Sequence, residues 1–184
     1  SKIKKKISKK TKLIVAINTY GNLCDFKEIN KISRETGILV LEDAAESIGS
    51  TYKKKQSGTF GDFGTFSFQA TKTITTGEGG IVISNSSKKI FDEIKLYRNH
   101  GVDKKRYFHL LPGSNFRLTN LQAAIGCSQL KRINSIKKRR NEIFYLYKEI
   151  LKKNNEINFQ KFKKGINPMI WTMAINLNGE KGLN

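Results

Sequence analysis

An amine, a carboxylate, a hydroxyl and a group of glycines fall in this sequence where they could do chemistry together. Lys72 follows four residues after an aromatic and β-branched run, Phe63 to Phe68, within GDFGTFSFQATKTITTGEGG (61–80). Such a run suits a buried strand, and the Thr-rich segment after it does not continue as a helix. Gly77, Gly79 and Gly80 permit positive φ or close backbone approach. A strand that ends in Ser-Phe-Gln, presents one lysine and turns on glycines can aim an amine into a cleft. Lys72 is nevertheless one lysine among many, so its neighbours must carry the assignment. Asp43 closes another apolar run, where a carboxylate either faces a ligand, as at the strand ends of open α/β sheets, or simply caps the next turn.

The elements that would position these groups follow from local pattern. Leu13 to Ile17 (LIVAI) is a continuous apolar run, expected of a parallel strand covered on both faces. Asp25 with Glu28 predicts a capping box for a helix to about Glu35, closed by Gly37. Ile38 to Leu41 is the next strand, so the start of the chain reads as a βαβ unit of an α/β sheet. Residues 51–62 read as an exposed turn, and Ile81 to Ser84 as a short strand. A helix from about Ser87 to Tyr97 has Ile90, Phe91, Ile94 and Tyr97 on a core-facing stripe. The loop RNHGVDKKRYFHLLPGSNFR is long enough to suggest function. Its His100 and His109 lack partners at metal-ligand spacing, so no metal site is expected; His109 is a candidate for facing substrate.

Thr119 with Gln122 predicts a second capping box, for a helix packing through Leu121, Ala124, Ile125 and Ser128. Residues 131–153 read as a solvated helix bridging two domains, and Met169 to Leu177 (MIWTMAINL) as the first strand of a small C-terminal domain. The expected division is 1–130 for the large domain, 131–153 for the bridging helix and 154–184 for the start of the small domain.

Among the 184 residues, Lys plus Arg number 35 against 15 acidic residues, a net charge of +20. The excess is mostly Lys, spread along the chain with no nucleic-acid motif, which points to a solvated surface and no nucleic-acid partner. Such a surface also suits a substrate carrying a diphosphate. No apolar run reaches the length of a membrane span, and no apolar region follows the basic start as in a signal peptide. Cys24 and Cys127 read as free thiols of a cytoplasmic protein. The chain starts without Met in SKIKKKISKKTK and stops after an apolar run, and is read as a fragment.

SFQATKTITTGEGG closely resembles the lysine segment of the DegT/DnrJ/StrS sugar aminotransferases. LVLEDAAESIGSTY upstream and GSNFRLTNLQAAIG downstream resemble the same family, in its order and spacing. The resemblance implies an α/β fold, the three-layer large domain of PLP-transferase fold type I with a mostly parallel sheet, followed by the start of a small domain. It implies pyridoxal 5′-phosphate (PLP) as cofactor, bonded to Lys72, with Asp43 on the pyridine nitrogen and Ser67 on the phosphate. Asn115 would reach the partner subunit's cofactor phosphate in a homodimer with shared sites, and Arg117 and His109 become substrate candidates. Glu46 stands where many relatives carry Gln, and some that aminate C4 of a nucleotide-linked hexose carry Glu. It is a candidate cofactor contact. The implied activity moves an amino group from an amino acid, glutamate by expectation, to a keto-sugar nucleotide, as in perosamine-like deoxyamino-sugar biosynthesis. The rivals are a PLP sugar dehydratase of the same fold, whose members replace the lysine with histidine, and an inert fragment or basic anion-binding module.

Overall fold

The computed structural model describes residues 2–105 and 107–178. Arg106 of the long loop and the last six residues of the expected small domain lie outside the described residues. The chain runs β1 (Leu13–Ile17), α1 (Phe26–Thr36), β2 (Leu39–Asp43), β3 (Thr51–Tyr52), β4 (Lys55–Gln56), β5 (Phe63–Ser67) and β6 (Gly80–Ser84). It continues with α2 (Lys88–Arg98), α3 (Asn120–Lys131), α4 (Ile133–Leu151), β7 (Ile157–Phe159), β8 (Ile166–Asn167) and β9 (Ile175–Leu177). The main sheet has the order β1-β2-β5-β6, with β1, β2 and β5 parallel and β6 antiparallel to β5. This is the mostly parallel α/β sheet expected from the βαβ pattern.

Helix α1 starts where Asp25 accepts from Glu28 N at 3.4 Å and ends where Gly37 turns left-handed at φ 71°. The Glu28 side chain does not complete the expected box; Asp25 instead pairs with Lys163 at 2.6 Å. Phe26 and Ile29 of α1 pack with Ala16 and Val40 in one core. Burying each Phe, Ile or Val side chain of this core contributes about 1.5–3 kcal/mol.

Strand alternation divides the sheet into two faces. The register places Leu13, Val15 and Ile17, Leu41 and Asp43, and Phe63, Thr65 and Ser67 on one face, and Ala16, Val40 and Glu42 on the α1 face. The expectation that β1 is covered on both faces is corrected: Leu13, Val15 and Ile17 are 41, 52 and 55% exposed. Helix α1 packs on the opposite face, against Ala16 and Val40.

Residues 51–62 are also more than an exposed turn. β3 and β4 form a hairpin, and the chain after it folds inward, burying Ser57. The reason is Glu42, fully buried on the α1 face. Its Oε1 accepts from Asn18 Nδ2 (2.8 Å) and Gly58 N (2.7 Å), and its Oε2 from Phe60 N (2.7 Å). Burial pushes this carboxyl above the usual carboxylate range, against the pull of those donors. Gly64 is required beside it, since a Cβ there would meet Gly58 O at 2.0 Å.

Helices α2 and α3 sit close to their expected positions but present different faces. The α2 stripe is only half-buried, and Tyr97 is exposed. Thr119 and Gln122 form the predicted capping box of α3, yet Leu121 and Ile125 are exposed. The packed face is Gln122, Gly126 and Gln129. A Cβ on Gly126 would stand 3.1 Å from Thr76 Cγ2, and the Gln129 amide binds Thr75 through both of its ends. The chain between Met169 and Leu177 is not one strand. Only Ile175–Leu177 pairs, with β7, because Met169 and Ile170 are buried in the body of the protein instead.

Candidate active site

Asp43 and Ser67 stand on one sheet face at the carboxyl ends of β2 and β5. Asp43 pairs in register with Thr65, and Ser67 lies two residues further along. Asp43 Oδ1 accepts from Ala45 N at 3.0 Å, so the carboxylate does cap its turn. Its other oxygen takes no hydrogen bond or ion pair among the described residues. Ser67 Oγ accepts from Gln69 N at 3.3 Å.

The chain leaves β5 through a tight turn in which Lys72 N donates to Gln69 O at 2.9 Å. Gly77 and Gly79 then return it at φ 81° and 137°, and Thr76 N donates to Phe68 O at 2.9 Å. A Cβ on Gly79 would collide with Leu118 at 2.5 Å. These constraints hold Lys72 at the strand end.

The Lys72 side chain is only 16% exposed, with Nζ 3.7 Å from Glu46 Oε1. Nζ also lies 4.0 Å from the centre of the Trp171 ring. A cation over an aromatic face is favourable by about 0.5–2 kcal/mol, more as water is excluded. Trp171 stacks on Tyr20, with centroids 6.3 Å apart and planes 10° apart, and its Nε1 donates to Thr71 O at 2.8 Å. Tyr20 has φ 51°, a backbone conformation uncommon outside glycine. It is held there by Glu46 Oε2, which accepts from Tyr20 N at 3.1 Å, and by Gln160 Nε2, which donates to Tyr20 O at 3.1 Å. The Glu46 charge is thus met by Lys72 and by a backbone N–H.

Asn115, Arg117 and His109 form a separate group. Asn115 makes a bridge with Asn99, Arg117 Nη1 donates to Asn99 Oδ1 at 3.1 Å, and His109 Nδ1 donates to His100 O at 2.6 Å. Within one chain, none of the three shares a hydrogen bond, ion pair or ring contact with Lys72, Asp43, Glu46 or Ser67 among the described residues. Tyr107, Phe108 and Phe116 of the same loop are exposed.

Sequence reasoning missed Tyr20, Trp171 and the buried Glu42. The available signal for Trp171 was that it is the single tryptophan of the chain, set in a run with buried neighbours. The residues present suit PLP in kind: an amine for its aldehyde, an unengaged carboxylate oxygen for its ring nitrogen and a hydroxyl for its phosphate.

The sheet and its strand-end groups define an α/β protein with a candidate site around Lys72. The profile of the DegT/DnrJ/EryC1/StrS aminotransferase family matches residues 1–182, and the chain belongs to that family. It is 46% identical to the GDP-perosamine synthase of Vibrio cholerae over 150 residues, covering 81% of this chain and 41% of that protein. It is 40% identical to the GDP-perosamine synthase of Escherichia coli O157:H7 over 176 residues, covering 95% and 48%. Among solved structures, Helicobacter pylori PseC, an aminotransferase involved in pseudoaminic acid biosynthesis, superposes with a TM-score of 0.86 at 30% identity. That match covers 96% of this chain and 48% of PseC. The chain therefore spans about half the length of the curated relatives it matches.

Proposed function

We propose that the protein is a PLP-dependent aminotransferase that moves an amino group from an amino acid, glutamate in our reading, to a keto-sugar nucleotide. The observation that carries this is Lys72, mostly buried and held at the end of the sheet face that bears Asp43 and Ser67. Membership of the family and the two GDP-perosamine synthases support it and suggest an acceptor of the perosamine type. The basic surface suits the diphosphate of such a substrate.

When bound, PLP supplies an electrophilic carbon for amines and a ring that accepts the electron pair released at the substrate carbon. Lys72 Nζ would hold it covalently and, once displaced by the donor amine, take the proton from the donor's Cα. The free oxygen of Asp43 would keep the ring nitrogen protonated, since a nearby negative charge favours the charged form. Ser67 Oγ would bind the phosphate, and Glu46 would hold the released Lys72 amine beside the cofactor. The dehydratase alternative is disfavoured by Lys72 itself, which stands where that class carries histidine.

Asn115 would serve the partner subunit's site in a homodimer. The exposed aromatic residues around it supply an apolar surface for that contact. Arg117 and His109 would then face substrate from the same loop. The domain division at 131–153 and a cytoplasmic location belong to this reading; Cys24 and Cys127 are free thiols, and no helix among the described residues is long and apolar enough to cross a membrane.

The test is chemical. Full-length protein given PLP should develop a visible band, and borohydride should fix the cofactor onto Lys72, located by peptide mapping. Lys72→Ala should keep PLP non-covalently and lose transamination. Label on another lysine would overturn the assignment.

A further inference from the structure

Residues 167–171 form a strap that runs past helix α4 to Lys72, and its backbone is tied down at several points. Lys137 Nζ donates to Gly49 O at 2.9 Å and Asn167 O at 3.3 Å. Ser50 Oγ accepts from Met169 N at 2.8 Å and donates to Gly21 O at 2.8 Å. Met169 is fully buried, and its carbonyl lies so close to Gly21 that a Cβ there would stand 2.2 Å away. Arg140 Nη1 donates to Ile170 O at 3.4 Å and Trp171 O at 2.5 Å. The indole is then pinned at its far edge by the Nε1 bond to Thr71 O, on the residue next to Lys72.

The Nε1 bond holds the indole itself and the other anchors fix the backbone that carries it, so a half-buried aromatic ring is kept in one place beside Lys72. Its flat face meets the Lys72 amine at 4.0 Å, while Glu46 approaches the same nitrogen at 3.7 Å. Tyr20 backs the indole, and Glu46 also fixes Tyr20 through its backbone N–H. The result is a rigid seat for one ammonium group, with a π face and a carboxylate.

We propose that Trp171, with Glu46, is a positioning dock for Lys72. It holds the amine in one place whenever that nitrogen is bonded to neither cofactor nor substrate. This rests on the reading of Lys72 as the cofactor lysine. Lysine side chains are costly to order because of their many rotamers. A dock that orders Lys72 beforehand lets its amine meet the incoming aldehyde, and later the substrate carbon, without a search.

The experiment has two arms. In cofactor-free protein, protons above an indole face resonate upfield. The ε-methylene signal of Lys72, identified by its loss in Lys72→Arg, should therefore lie upfield of the other lysines. Trp171→Leu should return it to their position, and Trp171→Phe, which keeps a π face, should leave it between the two. A Lys72 signal among the other lysines in the unaltered protein, or one that Trp171→Leu does not move, overturns the dock. In the second arm, PLP is added and the rate of borohydride-trapped labelling at Lys72 is followed. Trp171→Leu should slow it about tenfold, the scale of one lysine's rotamer freedom, and Trp171→Phe by no more than about threefold, since its face still attracts the cation. An unchanged rate in Trp171→Leu overturns the dock and leaves the cofactor assignment standing. Absence of trapped PLP on Lys72 in the unaltered protein overturns the cofactor assignment, and the resonance position alone then decides the dock.

Discussion

Glu46 contacts Lys72 and Tyr20 with different oxygens: Oε1 lies 3.7 Å from Lys72 Nζ, and Oε2 accepts from Tyr20 N at 3.1 Å. One carboxylate thus joins the turn after β2, the loop after β1 and the candidate catalytic amine. Glu46→Gln keeps an acceptor for Tyr20 and removes the charge facing Lys72. A partly exposed pair contributes about 0.2–1 kcal/mol, so the urea midpoint should move little. Turnover should fall at least about tenfold, equivalent to about 1.4 kcal/mol of barrier. Unchanged turnover in a folded Glu46→Gln protein would remove Glu46 from the site.

Asp43→Asn should preserve the fold, because the amide oxygen can still accept from Ala45 N as Oδ1 does at 3.0 Å. What it loses is the negative charge, including that of the oxygen that accepts no hydrogen bond from the described residues. The donor half-reaction, measured as single-turnover formation of pyridoxamine phosphate, should slow by several powers of ten. A loss below about tenfold, or about 1.4 kcal/mol, would show that Asp43 does not hold the ring nitrogen.

Glu42 makes a prediction about stability and pH. Burial raises its carboxyl above the usual value in the folded protein. The unfolded chain loses that proton near the ordinary glutamate value, so between the two values it binds fewer protons than the folded chain. Stability from this group is complete below the ordinary value and is lost as pH rises through the folded one. Glu42→Gln turns an amide NH₂ towards backbone donors and should cost about 1–3 kcal/mol, but it cannot titrate. The gap in urea midpoint between the two proteins should narrow as pH rises above about 4.3. A gap that widens would mean that the donors at Asn18, Gly58 and Phe60 outweigh burial.

Asn115 tests the shared site. Lys72→Ala and Asn115→Asp should each be nearly inactive, the second because a carboxylate would face the cofactor phosphate. Mixing them with subunit exchange gives heterodimers in which both lesions fall in one site and the other site is unaltered. Activity should reappear. If Asn115 served its own chain, every site would carry a lesion, and confirmed exchange without recovery would refute the arrangement.

The sequence by itself determined the local pieces of this protein. The LIVAI run, the Asp25 cap and Gly37 mark β1 and α1, because apolar runs and caps act within a few residues. Thr119 and Gln122 mark the start of α3 for the same reason, and the glycines after Lys72 mark the return that presents it. The three segments around Asp43, Lys72 and Asn115 also carried the family. The tertiary structure decided who meets whom. Trp171 covers Lys72 because a strap anchored on α4 and Ser50 crosses the sheet end. Glu42 is buried because the chain after β4 folds back to offer it backbone N–H groups. Helix α3 packs through Gly126 and two glutamines because Thr76 comes close to it and Thr75 and Glu78 offer hydrogen-bond partners. Periodicity reports which residues are apolar. Which distant group satisfies a carboxylate, an amine or a backbone N–H depends on the path of the whole chain.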